Sequence, residues 1–523
     1  MRRRECLVDG LLLAGVLTLQ LLISLPRLNR PFVEGRAHWH YASAEFLLSA
    51  IHSQSEALPS RADFLGLKRL SYGPDGQASG FTHYARHPVL APLLFNAYVR
   101  AAGCREWVPR SFALILSGLI TVLLFLCLRR ATEEGTLAAL WTLLYIVLPL
   151  NFNYQDAWKY ETLAEACLLL CVYALHRVRE PLWRGVFLAG FFLLFQTDWC
   201  AFLPGLGLLA YAFYSRRREG WDGLWIRAAA LAAVSAAGGF VLLSLLGFPL
   251  SAMRERFVYW TGAKIAGIPF GSWLGTQLGY LDMNFSALNA VLLVLLAAVS
   301  LRRREGGRHP LTAAGWSCLA GSLLWTACLR AHSHVHHYAQ WFLGPAYLLL
   351  LGGLYAEARP LPRPELRRTA ALALTVFALA AALHGSRRLE TIIQGEDFAA
   401  PEDMAAIRVR TERLVAVSDG ASGPREWWTS PNIALYTDPY YKARVLGIPR
   451  SSIRGGFAFA GELSSLSPNT DLVVALNMPG AVRRVRQTLR NRFGVRGLKP
   501  VAQSPEFVFL EPEFGAVSRP WEK

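Results

Sequence analysis

Apolar runs of near-membrane length recur along the first three-quarters of this 523-residue chain and constrain its fold more than any other feature. Crossing ~30 Å of hydrocarbon in a helix takes about 20 mostly apolar residues, because each backbone amide must be satisfied inside the segment. Eleven segments carry this pattern in whole or in part: 7–26, 111–128, 136–150, 161–176, 185–197, 200–215, 228–247, 284–301, 311–329, 339–356 and 370–385. Hydrophobic residues make up 53% of the chain and charged ones 17%, which excludes an ordinary water-soluble protein. The expected class is an all-α polytopic membrane bundle of about 11 transmembrane helices.

A net charge of +17 would point to nucleic acid if it were spread over a soluble surface. Here it sits in short clusters in alternate connections: residues 2–4, Arg129/Arg130, Arg177/Arg179/Arg184, residues 216–218, residues 302–304 and the stretch 359–368. By the positive-inside rule these face the cytoplasm, so no nucleic-acid partner is expected. Segments 27–110, 151–160, 198–199, 248–283, 330–338 and everything after 385 are then extracytoplasmic, with the amino end inside. The first apolar run is long and lacks a small-residue cleavage site, so it reads as a retained helix. Eight cysteines, most of them in or beside spans, give no disulfide framework and no CxxC zinc pattern.

Residues 1–385 are read as one transmembrane domain, including an external loop 27–110 with candidate interfacial helices at 36–53 and 89–102. After Gly385 charged residues return. Short β-rich runs at 414–419, 433–437, 472–476 and 507–512, with a helix-like stretch 481–494, predict a small extracytoplasmic α/β domain over 386–523. Its segment WWTSPNIALYTDPYY suits sugar stacking, a small core or membrane docking, and the core reading is preferred.

Polar residues at the outer ends of spans carry the functional information, because burying them near lipid is costly. Four clusters share the external side: RPFVEGRAHWHY (30–41), THYARHPVL (82–90), NYQDAWKYETLAE (153–165) and HSHVHHY (332–338). Asp198 stands at another external turn, where it either contacts a sugar or caps the next helix. Segment 253–283, which mixes cations, aromatics and glycines, reads as a cover over a lipid groove or as an interfacial segment.

The order and spacing of these pieces resemble the C-type glycosyltransferase superfamily, in particular the branch of bacterial protein mannosyltransferases and lipid A aminoarabinose transferases. PFVEGRAHWHYASAE is similar to that superfamily's acidic segment after the first helix, and HYARHPVLAPLLFNAYVRAAG to the segment that follows it. QDAWKYETLAE is similar to its polar turn before the fourth helix, and HHYAQWFLGP to its late external mouth. The likeness covers residues 1–360, and an external α/β tail also occurs in such proteins. The adjacent Asp-Glu pair usual in the first segment is missing here.

The resemblance implies an inverting transferase of the bacterial inner membrane that moves a sugar from a polyprenyl-phosphate carrier to a glycan, lipid or protein acceptor. An acceptor base and a cationic or hydrogen-bonding cradle for the departing phosphate are then needed. Glu34 is the first candidate base, with Asp156 and Glu161 as alternatives. Arg36, His83, Tyr84, Arg86, His87, Lys159, Asp198, His336, His337 and Tyr338 are the candidate substrate-binding residues. Headgroup contact is the competing role for Arg86 and Lys159. The scheme calls for no cofactor; the alternative is a divalent metal ion, with His332, His334 and His336 as its candidate ligands. Two other classes fit the same pattern, a transporter or flippase of lipid-linked sugars and an inactive transferase-like scaffold.

Overall fold

The computed structural model describes residues 2–28, 67–72, 78–83, 90–219, 223–245, 268–302, 309–359, 364–395, 426–428, 470–476, 495–503 and 507–514, with a few single positions between them. Fifteen α-helices and six strands lie among these residues. In chain order they are α1 (Arg2–Leu28), β1 (Leu67–Tyr72), β2 (Ala78–His83), α2 (Leu90–Ala102), α3 (Trp107–Thr132), α4 (Gly135–Val147), α5 (Pro149–Tyr154), α6 (Tyr160–Leu175) and α7 (Pro181–Leu194). They continue with α8 (Phe202–Glu219), α9 (Leu224–Leu245), α10 (Phe270–Phe285), α11 (Ala287–Arg302), α12 (Pro310–Cys328), α13 (Arg330–Val335), α14 (Leu343–Glu357) and α15 (Pro364–Gly395). The strands β3 (Glu426–Trp428), β4 (Thr470–Leu476), β5 (Val495–Gln503) and β6 (Phe507–Phe514) complete the order.

Each of the eleven expected spans overlaps a helix of this order, but 136–150 runs across α4 and α5, and 284–301 runs across the end of α10 and α11. Among the described residues, five helical stretches are long and apolar enough to cross a membrane: Glu5–Leu28, Trp107–Thr132, Leu224–Leu242, Pro310–Cys328 and Pro364–Glu390. A sixth arises if α10 and α11, bent by 105° at their junction, count as one broken span. Segments 135–147, 181–194 and 199–215 are apolar but shorter. The expected span at 284–301 therefore takes in the last two residues of α10 as well as α11, and residues 270–283, read from sequence as part of a cover or interfacial segment, form the rest of α10.

The chain divides into two compact units. The first holds Met1–Pro26, Ala85–Ala91 and Phe112–Ile392. At its centre α6 and α14 are buried almost all round, through residues such as Leu168, Leu169, Leu348, Leu349 and Leu350. Outer helices instead expose large apolar side chains, among them Leu11, Ile226, Val294 and Phe377, as a lipid-facing surface requires. Small residues let backbones approach at the centre. A Cβ at Gly315 of α12 would meet Leu350 N at 2.8 Å, and one at Gly321 would meet Pro204 Cδ at 2.6 Å.

The basic connections expected to share a side are joined to one another. Arg129 pairs with Asp9 at 2.7 Å, Arg359 with Glu133 at 2.7 Å and Arg368 with Glu134 at 3.2 Å. Arg130 donates to the His176 carbonyl at 3.4 Å, and Glu357 accepts from the His309 amide at 2.8 Å.

The second unit holds Arg27–Tyr84, Pro92–Ser111 and Ile393–Lys523. Within it β1 and β2 form an antiparallel pair, and Arg110 donates to the Leu28 carbonyl at 3.2 Å. Its four-stranded sheet has the order β3-β4-β6-β5, with β3 and β4 parallel and the other pairs antiparallel. Expected strands 472–476 and 507–512 fall inside β4 and β6, while β3 and β5 lie outside every expected run. Runs 414–419 and 433–437 and the stretch 481–494 lie outside the described residues.

Candidate functional site

Three stretches far apart in sequence meet in the first unit: the turn before α6, the turn after α7, and the segment that links α12 to α14. Lys159 is extended at the N-terminus of α6 and 1% exposed. Its ammonium lies over the indole face of Trp341. A desolvated contact of this kind is worth about 2 kcal/mol. Burial holds the Lys159 ammonium well below the usual lysine range, while Glu161 and Glu165 pull the other way.

Glu165 is fully buried one turn further along α6, and each of its oxygens receives a hydrogen bond. Tyr145 Oη donates to one oxygen, and Trp341 Nε1 donates to the other at 2.6 Å. A single indole thus carries a cation on its face and a carboxylate at its edge. Asp198 and Glu161 lie within electrostatic reach of each other and of the same region. Asp198 accepts from the Cys200 amide at 3.1 Å and caps the short turn Trp199–Ala201. Asp156 is fully buried in the same connection as Lys159.

The segment that contains the histidines is held by one face of α10. Trp273 Nε1 donates to Ser333 Oγ at 2.8 Å and Gln277 Nε2 to the Ser333 carbonyl at 2.7 Å. Tyr280 donates to the His334 carbonyl at 2.9 Å, and Asn284 Nδ2 to the His337 carbonyl at 2.8 Å. These four residues are spaced by four, three and four along the helix, which puts them on one stripe. His337 also packs within 5.5 Å of the Tyr154 ring and hydrogen-bonds its hydroxyl at 3.1 Å.

A small internal cavity lies beside this network, lined by Gln20, Ser117, Tyr145, Asn151, Gln155 and Trp341. It has room for about one water molecule. Gln155 is buried there, with neither amide atom hydrogen-bonded among the described residues.

The structure brings together Lys159, Glu161 and Asp198, and it places His337 against Tyr154 in the connection that leads to Lys159. Tyr338 is buried and its ring lies 4.9 Å from that of His336. The His332 and His336 rings lie 4.4 Å apart, tilted by 52° to each other. Among the described residues no three His, Cys, Asp or Glu side chains form a group able to hold a metal. His83 is the last residue of β2, opposite Leu67. Glu34, Arg36, Tyr84, Arg86 and His87 lie outside the described residues.

The sequence alone singles out none of Tyr145, Tyr154, Asn284 and Trp341, and it places Glu165 in the external cluster 153–165 without giving it a role. Glu165 had a usable signal, an acidic residue one turn inside an apolar helix. Asn284 had another, a polar amide at the start of an expected span.

No protein-family model matches the chain, and no curated protein matches it. Among solved structures it is similar to ArnT from Cupriavidus metallidurans bound to undecaprenyl phosphate, with 14% identity, 97% of this chain and 99% of that one covered, and a TM-score of 0.47. It is also similar to the archaeal oligosaccharyltransferase AglB from Archaeoglobus fulgidus in complex with an inhibitory peptide and a dolichol-phosphate, at 12% identity, with 88% of this chain and 69% of that one covered and a TM-score of 0.48.

Proposed function

We propose that this integral membrane protein is a glycosyltransferase that takes a sugar from a polyprenyl-phosphate carrier and passes it, with inversion, to an acceptor at the extracytoplasmic surface. The observation that supports this reading is the ionic cluster at the ends of apolar helices in which buried Lys159, Glu165 and Asp198 meet the half-buried Glu161. Ionisable side chains buried in a membrane bundle are expensive and are kept where a substrate uses them. A lysine is a compact charge suited to a lipid phosphate.

In the transfer the acceptor oxygen attacks the anomeric carbon while the bond to phosphate breaks, and the electron pair leaves with the phosphate. Lys159 would neutralise that charge. The carboxylate candidates for the acceptor's proton are Glu34, Asp156 and Glu161. Arg36, Tyr84, Arg86 and His87 of the first external loop, with His83, His336 and Tyr338, are proposed to line the sugar and phosphate path. The partners are a polyprenyl-phosphate-linked sugar, a glycan, lipid or protein acceptor, and the surrounding lipid. A divalent ion held by His332, His334 or His336 would be an addition to this scheme and no step needs it.

Binding of the carrier tests the cluster's role. Full-length protein in nanodiscs is expected to gain thermal stability with polyprenyl monophosphate and not with the uncharged polyprenol, and Lys159→Gln is expected to abolish the difference. Equal stabilisation by both lipids, or an unchanged difference in the variant, would remove Lys159 from the phosphate site.

The 105° break between α10 and α11 favours a second reading, because transporters build their sites from broken spans. A flippase would move the labelled lipid-linked sugar across a vesicle membrane intact. A transferase would release the polyprenyl phosphate.

A further inference from the structure

Asn284, near the end of α10, binds His337 twice. Its Nδ2 donates to the His337 carbonyl at 2.8 Å and to Gln340 Oε1 at 3.2 Å. Its Oδ1 lies 2.9 Å from His337 Nδ1. Gln340 is itself oriented, since its Nε2 donates to the Gln277 carbonyl at 2.9 Å. The two donations fix which end of the Asn284 amide is nitrogen, so the atom that faces Nδ1 is an acceptor. Nδ1 of His337 therefore carries the ring hydrogen, and Nε2 of the neutral ring is left with a lone pair.

Tyr154 Oη lies 3.1 Å from that Nε2, and the only hydrogen available for the bond is the phenol's. Tyr154 donates to His337, and His337 donates to Asn284. A hydroxyl beside a base that a third group orients is the arrangement by which proteins activate hydroxyls. Among the described residues, several groups face it. Lys159 Nζ lies 5.7 Å from the Tyr154 ring centre, the Tyr280 ring 5.8 Å from the imidazole and the Tyr338 ring 6.2 Å from it, and His336 precedes it on its own segment.

We infer that Tyr154, His337 and Asn284 form a proton relay that takes the proton of the acceptor hydroxyl. The inference rests on the transfer reading above and assigns the proton to a group other than the carboxylates. As the acceptor oxygen bonds to the anomeric carbon, its proton passes to Tyr154 Oη, and the phenolic proton passes to His337 Nε2. The bond from carbon to phosphate breaks and its electrons stay on the phosphate. The imidazolium so formed, still held by Asn284, returns its proton through Tyr154 to solvent before the next turnover. Asn284 is a positioning residue in this scheme, because it acts only through the tautomer of His337.

The test uses full-length protein in nanodiscs with 15N-labelled histidine, the His337 signals being assigned by their loss in His337→Gln. The wild type is expected to show a protonated Nδ1 and a bare Nε2 at alkaline pH. Tyr154→Phe and Asn284→Leu should each lower kcat by ~100-fold, the lower end of what general acid–base catalysis contributes, with KM for the lipid donor unchanged. Asn284→Asp still offers Nδ1 an acceptor and should keep the tautomer, restore most of kcat and move the acid limb of the pH profile upward by about one unit, since a carboxylate favours the imidazolium. That rescue, with Tyr154→Phe, keeps the test decisive if Asn284→Leu fails to fold. An Nε2–H tautomer in the wild type, or a Tyr154→Phe enzyme within about two-fold of wild-type kcat, would overturn the relay. A wild type that releases no polyprenyl phosphate from any donor would instead overturn the transfer reading, and the relay's role with it.

Discussion

Trp341 places a cation and a carboxylate on one side chain, and two substitutions can take that apart. Trp341→Phe keeps an aromatic face for Lys159 but removes the Nε1–H that binds Glu165 at 2.6 Å. The buried carboxylate then loses one of its two donors, which costs about 1–3 kcal/mol. Trp341→Leu removes the face as well and should lower stability further, both changes being read by thermal unfolding in one detergent. Equal stability of the two variants would mean that the contact with Lys159 adds nothing. Lys159, Glu161 and His337 were legible in the sequence because polar residues at the mouths of apolar runs stand out. Their partners were not, because Glu165 lies 20 residues from Tyr145 and 176 from Trp341, and His337 lies 53 from Asn284 and 183 from Tyr154. No local pattern encodes such pairings; the packing of helices produces them.

At the level of elements, the junction of α10 and α11 is the least foreseeable feature. An apolar run from 284 reads as one straight span, yet Ser286 has φ 67° and ψ 150°, a conformation that side-chain-bearing residues rarely adopt. The turn it makes lets Asn289 Nδ2 donate to Ser286 Oγ at 3.1 Å and leaves Asn284 facing His337. Ser286→Gly should relieve about 1 kcal/mol of backbone strain less whatever that hydrogen bond contributes, and Ser286→Val should destabilise by more than 1 kcal/mol. A junction indifferent to both changes, in thermal unfolding, would mean that the bend carries no strain. Close packing of α12 makes a second element-scale prediction. Gly315→Leu drives a side chain into Leu350 and should cost about 1–3 kcal/mol, whereas the same change at Gly118, where a Cβ meets nothing within 4 Å, should cost little. Helix positions were legible from apolar length; the glycines that set interhelical distance were not, since nothing local separates Gly315 from Gly118.

Across the whole molecule the two ends of the first unit differ in chemistry, and acid should act on one of them first. At the basic end His309 caps α12, its Nδ1 accepting from the Leu311 amide at 3.3 Å. Burial, with Arg359 adding to it, pushes His309 down from 6.5 to about 4. The folded protein therefore binds fewer protons than the unfolded chain between these values, so stability is fully present above pH 6.5 and declines as pH falls toward 4. His309→Asn, which can cap without titrating, should flatten that decline in thermal unfolding. An unchanged decline would place the acid sensitivity elsewhere. The alternation of basic and polar connections was legible from the arginine clusters, and the ion pairs of Asp9, Glu133 and Glu134 show those clusters joined to one another.

The central claim, that the buried ionic cluster handles a lipid phosphate during sugar transfer, is tested most directly by donor turnover. Purified full-length protein in nanodiscs would be given a panel of polyprenyl-phosphate-linked sugars with a mixed pool of glycan, lipid and peptide acceptors, and free polyprenyl phosphate followed by 31P NMR. The account predicts release of polyprenyl phosphate with at least one donor, in step with appearance of glycosylated acceptor, and loss of ~100-fold or more of that rate in a folded Lys159→Gln protein. No release with any donor from folded wild type, or release undiminished in Lys159→Gln, would contradict it.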